Sequence, residues 1–167
     1  MKSLFKYWVL IALLMTTSCT DEDKLKEKYT RQVLEMHDAQ REYHFEKMSA
    51  AFAGQLSEDF ISVNRGELSQ MSYEEHKARY DQYFSAVEFE YWDDTREPLI
   101  RFSDDYSLAY TIVEKDVILN YQDENGTMLR DSVHYAWLAV YRKQDNGEWK
   151  IESVASTNSE PVVEEIR

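Results

Sequence analysis

Hydrophobic and polar residues alternate along three segments of the second half of the chain, joined by short turns. The segments run from Tyr106 to Tyr121, from Val133 to Arg142 and from Trp149 to Asn158. Alternation with a period of two is typical of strands. The Asn-Gly pairs at 125–126 and 146–147 are a strong signal for hairpin turns, because both residue types accept a positive φ. The pattern therefore predicts an antiparallel meander.

The first half of the chain has a helical period instead. Apolar residues recur at three- and four-residue spacing from Thr30 to about Gly54, which predicts one long amphipathic helix. A second helix is predicted after Ser72, because Glu75 follows three residues later and completes a capping box. Further strands are predicted at 60–63, 86–96 and 99–102. Helices first and strands afterwards indicate an α+β domain, with the helices packed on one face of a curved antiparallel sheet.

Composition narrows the classes of partner. The chain has 167 residues, 43% of them hydrophobic, which suits one domain with a real core. Its net charge is -13, and no Lys/Arg cluster could follow a phosphate backbone, so we predict no nucleic-acid partner. Four glycines in no loop pattern exclude a dinucleotide fingerprint, and we predict no cofactor.

Two histidines raise the question of a metal site. His37 and His44 are two helical turns apart, about 10 Å along the axis, which is too far for one ion to bind both. No HExxH motif, paired cysteines or acidic calcium loop accompanies them. We therefore predict no metal site and expect both histidines at solvent or at an interface.

Residues 1–19 have the pattern of a targeting segment. Lys2 and Lys6 precede an apolar run, 7–15, that is too short to cross a bilayer, and small polar residues lead into Cys19. This resembles a bacterial lipoprotein signal with its lipobox. The resemblance implies acylation of Cys19, for example with palmitate, and a lipid anchor in the cell envelope, at the outer membrane. The alternative is an ordinary secretory signal with a chance cysteine.

The remaining chain divides into a tether, a domain and a tail. Residues 20–29 form an acidic tether, whose start, Thr-Asp-Glu-Asp at 20–23, looks like the surface-export signals of Bacteroidetes-type lipoproteins. The alternative for that run is a solvated linker, so the domain would face either the periplasm or the cell surface. Residues 30–159 form the domain, and residues 160–167 form a C-terminal tail.

Three features of the domain carry a family resemblance. They are the long first helix, the stretch Leu56–Val63 leading into Asn64-Arg65-Gly66, and the ending Gly147–Ile151 followed by Ala155-Ser156. Together and in this order they look like the nuclear transport factor 2-like superfamily, which includes SnoaL-like cyclases and ketosteroid isomerases. The resemblance implies a cone-shaped α+β fold, a pocket between the helices and the concave sheet face, and often a homodimer.

The strand pattern predicts a dimer independently of that resemblance. From 133 to 141 both strand faces are largely apolar, with His134 the exception on one of them. A sheet covered by helices on one side only would carry charges on its other face, so the second face is expected to meet another layer. A second subunit is the simplest candidate. The tail could cover that face instead, although its glutamates suit this role poorly.

The resemblance also suggests where catalytic groups would lie. Alignment on Glu58-Asp59 places Asn64 where ketosteroid isomerases have their general base, and an amide cannot take a proton. The strand 133–141 also lacks the acid that those enzymes use as oxyanion donor. His134 could still act as a base beside Tyr110 or Tyr135. The alternative is that His134 is a hydrogen-bonded structural residue.

Aromatic residues are the remaining clue to function. In this fold six of them are expected at the cavity or at the dimer face: Tyr80, Phe84, Tyr91, Tyr110, Tyr135 and Trp137. Aromatic walls with a few polar groups suit a small, apolar or aromatic ligand. Alternatively, these side chains simply fill the interior.

Three functional hypotheses follow from the sequence. The first is an envelope lipoprotein whose domain is a non-catalytic module that binds a small ligand or a partner. The second is a SnoaL-like enzyme of the isomerase, cyclase or hydrolase type that uses a His or Tyr of the pocket. The third is a structural dimer that docks another envelope protein.

Overall fold

The computed structural model describes the backbone of residues 2–166 and the side chains of residues 21–166. It divides into two compact units, residues 1–35 and 36–167. Helix α1, Lys2–Phe45, makes up the first unit and continues into the second. The segment 21–29, predicted as a tether, belongs to this helix. The predicted signal, with Cys19, lies outside the residues whose side chains are described. Between residues 21 and 166, no helix is long and apolar enough to cross a bilayer.

The second unit adds two helices and eight strands to the end of α1. In chain order they are α2 Ser49–Gly54, β1 Leu56–Asn64, β2 Glu67–Gln70, α3 Tyr73–Ala86, β3 Val87–Asp94, β4 Leu99–Phe102, β5 Leu108–Gln122, β6 Met128–Lys143, β7 Trp149–Asn158 and β8 Val162–Glu165. The predicted α+β class, with helices packed against a curved and unclosed sheet, is confirmed.

All eight strands belong to one mixed sheet. Its order is β2-β1-β7-β6-β5-β3, with β4 also paired to β5 and β8 also paired to β6. The predicted meander is present as β5, β6 and β7, which pair antiparallel. The expectation of a purely antiparallel sheet is wrong, because β1 runs parallel to β7. This pairing joins segments about ninety residues apart, and no local pattern signals it.

Glycine alone supplies the positive φ at the two meander turns. Gly126 has φ +82° and Gly147 has φ +86°, whereas the asparagines that precede them stay at negative φ. In the first turn the Asp123 carboxylate accepts hydrogen bonds from the backbone N–H of Asn125, at 2.9 Å, and of Thr127, at 2.8 Å. Both turns therefore form where the sequence predicts them. Only the glycine of each Asn-Gly pair takes the positive φ that was expected of both residues.

The long helix predicted in the first half is interrupted. Helix α1 ends at Phe45 and α2 begins at Ser49. Lys47 takes φ +55°, and the N–H of Met48 donates to the carbonyl of Tyr43 at 2.8 Å, which satisfies a carbonyl at the helix end. A lysine in this left-handed position gives no sequence signal, since glycine usually occupies it.

Helix α3 begins as predicted, with a complete capping box. The Ser72 hydroxyl accepts from the N–H of Glu75 at 3.3 Å, and the Glu75 carboxylate accepts from the N–H of Ser72 at 2.8 Å. The helix buries His76 and Phe84. The capping box thus fixes where α3 begins, and it engages the carboxylate of Glu75.

The sheet has an inner face toward the helices of the second unit and an outer face. On β6 the inner residues are Val133, Tyr135, Trp137, Ala139 and Tyr141, which pair with inner residues 109–117 of β5. The outer residues of β6 include His134 and Leu138. Strand β8 lies in the predicted tail and extends the edge of β6 at 129–132, so it does not cover the outer face of 133–141.

A buried ion pair lies on the inner face. The ammonium of Lys115 is 2.6 Å from Asp94 Oδ1, and His37 Nε2 donates to Asp94 Oδ2 at 2.6 Å. The same ammonium lies 3.6 Å from the ring centroid of Trp92 and 6.0 Å from that of Trp137. Burial opposes ionisation of Asp94, but the hydrogen bonds from His37 and Lys115 keep its pKa below the ordinary value. Burial lowers the pKa of Lys115, against the attraction of Asp94.

We predict that Lys115→Met lowers the free energy of unfolding by about 3 kcal/mol, the low end for a broken buried pair, because Asp94 is then left part-buried with only the hydrogen bond from His37. Urea unfolding followed by tryptophan fluorescence measures this. The double variant Lys115→Met/Asp94→Asn removes both charges while keeping an acceptor for His37, and it should be more stable than the single variant. A double variant that is no more stable than Lys115→Met would contradict this account of the pair.

Candidate ligand-binding site

A cavity of about 450 Å³ lies between the inner face of the sheet and the helices of the second unit. It is lined by twenty residues, with aromatic and aliphatic side chains in the majority: Gln40, His44, Phe52, Leu56, Phe60, Ser62, Asn64, His76, Arg79, Tyr80, Tyr83, Trp92, Val117, Tyr135, Trp137, Ala139, Tyr141, Ile151, Val154 and Ser156. A cavity of this size and lining is within the range that binds small organic ligands.

Aromatic rings pack against one another around much of this cavity. His44 stacks on Trp92 with centroids 4.3 Å apart, and Phe52 meets Tyr80 edge to face at 4.5 Å. Trp92 and Trp137 lie 6.3 Å apart. These contacts hold the rings in place, so the wall is largely formed before any ligand arrives.

His44 is a neutral hydrogen-bond acceptor in this wall. Its Nδ1 lies 2.6 Å from the carbonyl oxygen of Gln40, and since a carbonyl only accepts, Nδ1 carries the proton. Nε2 of the neutral ring therefore has a free lone pair. Burial lowers the pKa of His44 to about 4, against the hydrogen bond to Gln40, and the positive charge of Lys115 lowers it further.

His76 is buried and has no hydrogen-bond partner among the described residues. The side chain is 4% exposed, and neither ring nitrogen is paired. Its ring meets Phe60 edge to face at 5.1 Å and stacks on Tyr80 at 6.2 Å. Burial lowers its pKa, and the nearby charge of Arg79 acts in the same direction. The neutral ring offers one donor and one acceptor that this part of the protein leaves unsatisfied.

The tyrosines of the cavity are neutral hydroxyl groups. Burial raises the pKa of Tyr80, Tyr83 and Tyr135, and it raises that of Tyr141 to about 12. Near neutral pH they can donate a hydrogen bond but cannot act as bases. Arg79, on α3, is the one lining residue with a formal charge.

Three of the six aromatic residues predicted for the pocket or dimer face line this cavity. These are Tyr80, Tyr135 and Trp137. Phe84 is 1% exposed and packs among His44 and neighbouring rings, outside the lining. It therefore contributes to the core that supports the wall.

The other predicted residues lie on the outer face. Tyr91 and Tyr110 are exposed, and His134 forms a 2.7 Å contact with Asp116 through Nδ1. Tyr135 follows His134 directly on the strand and points inward, so the two do not meet. Along the outer face Tyr110 pairs opposite position 140, six residues from His134, which is about 20 Å. The structure therefore does not bring His134 together with either tyrosine.

The expectation that His37 and His44 lie at solvent or at an interface is wrong. Both are buried, His37 against Asp94 and His44 in the aromatic wall. Among the described residues, no group of three or more His, Cys, Asp or Glu could hold a metal ion. The helical pattern alone could not show that the two histidines are buried. Charged residues, Glu, Asp and Arg, lie close to them in the sequence and suggested a solvent-exposed helix face.

Sequence reasoning also missed polar groups at and near the cavity. Gln40, His76 and Arg79 line it. Asp131 lies two residues before the inner-face Val133, its Oδ1 is buried without a partner, and burial raises its pKa. Its charge raises the pKa of Tyr83. The predicted strand begins at Val133, whereas β6 begins at Met128. Had the alternation been followed toward the N-terminus, it would have placed Asp131 on the inner face.

Comparison with known proteins identifies the fold. In sequence the chain matches no protein-family model and no curated protein. A ketosteroid isomerase-like protein from Erwinia carotovora atroseptica superposes with a TM-score of 0.60 at 14% identity, over 78% of this chain and 96% of that one. A nuclear transport factor 2-like protein from Cytophaga hutchinsonii gives 0.56 at 16%, over 76% and 95%. The CaMKII hub of S. rosetta gives 0.54 at 13%, over 77% and 95%.

The chain therefore has the nuclear transport factor 2-like fold that the resemblance implied. The three solved structures come from proteins with different descriptions, and each is at most 16% identical to this chain. The similarity therefore concerns the fold. Function has to be argued from the residues of the cavity and of the outer face.

We predict that His44→Phe flattens the pH dependence of stability between about pH 6.5 and pH 4. The folded ring takes a proton only near pH 4, whereas the unfolded chain takes it near 6.5, so falling pH favours the unfolded state across this window. The shift corresponds to about 3 kcal/mol.

Urea unfolding at a series of pH values, for the natural chain and the variant, measures this difference. Groups that titrate alike in both chains cancel in the comparison, including His76, whose lowered pKa has the same sign. Parallel curves for the two chains would show that His44 does not carry the effect.

Proposed function

We propose that this protein binds a small, partly apolar ligand in the cavity of its nuclear transport factor 2-like domain and does not transform it. The observation that carries the proposal is the cavity itself, which combines about 450 Å³ of space with packed aromatic walls and unsatisfied polar groups. An interior built only for packing would not leave this volume beside a buried, unpaired histidine.

The protonation states support binding rather than acid-base catalysis. A general base is most effective when its pKa lies near the working pH, and His44, with a pKa of about 4, is a weak base. Asn64 lines the cavity at the position that the resemblance assigns to the isomerase base, and its amide cannot take a proton. His134 lies on the outer face, away from the cavity.

The outer face supports a homodimer as part of the proposal. Several large apolar side chains on this face are 37–40% exposed: Tyr91, Leu99, Tyr110, Ile112 and Leu138. They lie on the paired strands β3 to β6, so they form a continuous surface rather than scattered residues. Similarity in fold to a CaMKII hub is consistent with assembly. A second copy offers the matching apolar face through two-fold symmetry.

We place the domain in the bacterial cell envelope, held by a lipid on Cys19. The support is the pattern of residues 1–19 and the acidic run that follows it. A second copy on the outer face and a ligand in the cavity are compatible with such an anchor, because all three use different parts of the chain.

The proposal predicts that native mass spectrometry of the protein, purified from its own host, detects a dimer carrying a few hundred daltons of additional mass per chain. The additional mass should be lost on denaturation, because the ligand is held by noncovalent contacts. Ser62→Trp fills the cavity and should abolish it. Val63→Trp changes the next residue, which is exposed and outside the lining, and should retain it.

A natural chain without additional mass under native conditions contradicts ligand binding. The same spectra count the subunits, and a monomeric mass contradicts the assignment of the outer face to a second copy. Retention of the ligand by Ser62→Trp would place it somewhere other than this cavity.

The envelope assignment predicts that cells fed labelled palmitate incorporate the label into the natural chain and not into Cys19→Ser. The reason is that the thiol of Cys19 is the acyl acceptor in a lipoprotein signal. Membrane fractionation of both chains provides the second readout. An unlabelled natural chain that separates from the membrane would contradict the lipid anchor.

A further inference from the structure

We propose that the ligand carries a carboxylate, which Arg79 binds at the cavity, and an aromatic body that packs on the indole of Trp137. This inference rests on the proposed ligand binding and adds the chemical class of the ligand. It is carried by an arginine without an ion-pair partner, by a cavity lining without acidic residues and by the unpaired histidine beside that arginine.

Eight arginines have described side chains, and four of them form no ion pair with a described residue; of these four, Arg79 is the one that lines the cavity, where it is exposed. The other four form ion pairs with Asp or Glu: Arg41, Arg96, Arg130 and Arg142. Among the described residues, no carboxylate lies within ion-pair distance of Arg79. Glu75, one helical turn earlier and the natural partner on a helix, accepts from Ser72 in the capping box instead. The guanidinium therefore keeps its five donors available at the cavity.

The composition of the cavity contrasts with that of the chain. Asp and Glu make up 32 of 167 residues, about one in five. None of the twenty lining residues is acidic, and Arg79 is the one that carries a formal charge. In a protein with a net charge of -13, an acid-free lining with one arginine favours an organic anion at the Arg79 end of the cavity. The charge of Asp131 acts instead at the end with Tyr83 and Tyr135.

His76 supplies a second polar group next to Arg79. The two residues are three positions apart on α3 and interact electrostatically, and both line the cavity. His76 is 4% exposed with both ring nitrogens unpaired, which is an expensive state for a buried polar group. A carboxylate bound by Arg79 would balance the positive charge beside this ring, and its second oxygen could accept the N–H of the imidazole.

The rest of the lining favours an aromatic body for the ligand. Trp92 and Trp137 both line the cavity. The Trp92 ring is already stacked by His44 at 4.3 Å and lies 3.6 Å from the ammonium of Lys115. The described ring neighbours of Trp137 are tilted instead, and they leave its indole for a ligand to stack on. His44 and Phe52 add further rings. Fixed aromatic faces bind a flat ring well, because little side-chain freedom is lost on contact. Together with Arg79, this lining fits an aromatic carboxylic acid.

Isothermal titration calorimetry of the purified full chain with matched acids and amides tests this assignment. The probes are benzoate and benzamide, indole-3-acetate and indole-3-acetamide, and 2-naphthoate and 2-naphthamide. Each amide keeps the ring and removes the charge. We expect at least one acid to bind about tenfold more tightly than its amide, because a charge-assisted contact to a guanidinium is stronger than a neutral one.

Two variants of α3 make the comparison specific. Arg79→Gln should abolish the preference for the acid, because it weakens binding of the acid about tenfold more than binding of the amide. Lys77→Gln removes a positive charge two residues earlier that is already paired with Asp81, and it should keep the preference. Decanoate and decanamide are the aliphatic control pair. We expect both to bind more weakly than the aromatic acids and amides.

The outcomes distinguish the carboxylate assignment from the aromatic body of the ligand. Equal binding of acid and amide by the natural chain, or an acid preference that survives in Arg79→Gln, overturns the carboxylate assignment while ligand binding stands. Tighter binding of decanoate than of every aromatic acid overturns the aromatic body. Failure of all acids and amides to bind would overturn this inference, while the proposed ligand binding is decided separately by the native mass spectra.

Discussion

The ion pair between Asp94 and Lys115 is the constraint on which the inner face depends. It connects β3 to β5 beneath the indole of Trp92, and His37 completes the hydrogen bonds of the carboxylate. A buried ammonium tolerates this position only with a carboxylate and a ring face as partners, so Trp92 is held where it lines the cavity. The position of the wall therefore follows from an electrostatic requirement as well as from packing.

The pairing of Lys115 with Asp94 keeps both of these charges out of the cavity lining. Lys115 and Asp94 neutralise each other and lie outside the lining, while the lining itself is acid-free and carries the single charge of Arg79. Arg79 is exposed, so its preference for an anion rests on a directed, charge-assisted contact at the edge of the cavity and not on a low-dielectric interior. Most acidic residues of the described chain lie on the surface, where water and salt screen them, whereas Asp94 and Asp131 each have a buried carboxylate oxygen.

Local signals in the sequence predicted the elements that depend on local contacts. The capping box of Ser72 and Glu75 and the turns at Gly126 and Gly147 form where they were expected, because each is decided within four residues. The break at Lys47 was missed, since no glycine marks its left-handed backbone. The parallel pairing of β1 with β7 was missed because it depends on contacts distant in sequence.

The candidate site could be predicted only in part, for a physical reason. Strand alternation placed Tyr135 and Trp137 on one face but could not decide whether that face was inner or outer. As a result Tyr91 and Tyr110 were grouped with them, although they lie on the outer face. The sequence contained Arg79 as one basic residue among nineteen.

The significance of Arg79 appears only in three dimensions, where its natural helical partner is engaged elsewhere. Glu75 serves the helix cap, which fixes the start of α3, and packing on Phe60 and Tyr80 holds His76 inward. One local interaction thus starts the helix and engages the carboxylate that could otherwise pair with Arg79. A cap that stabilises α3 by about 1 kcal/mol also sets the charge of the binding site, which is why the site cannot be read from residue types alone.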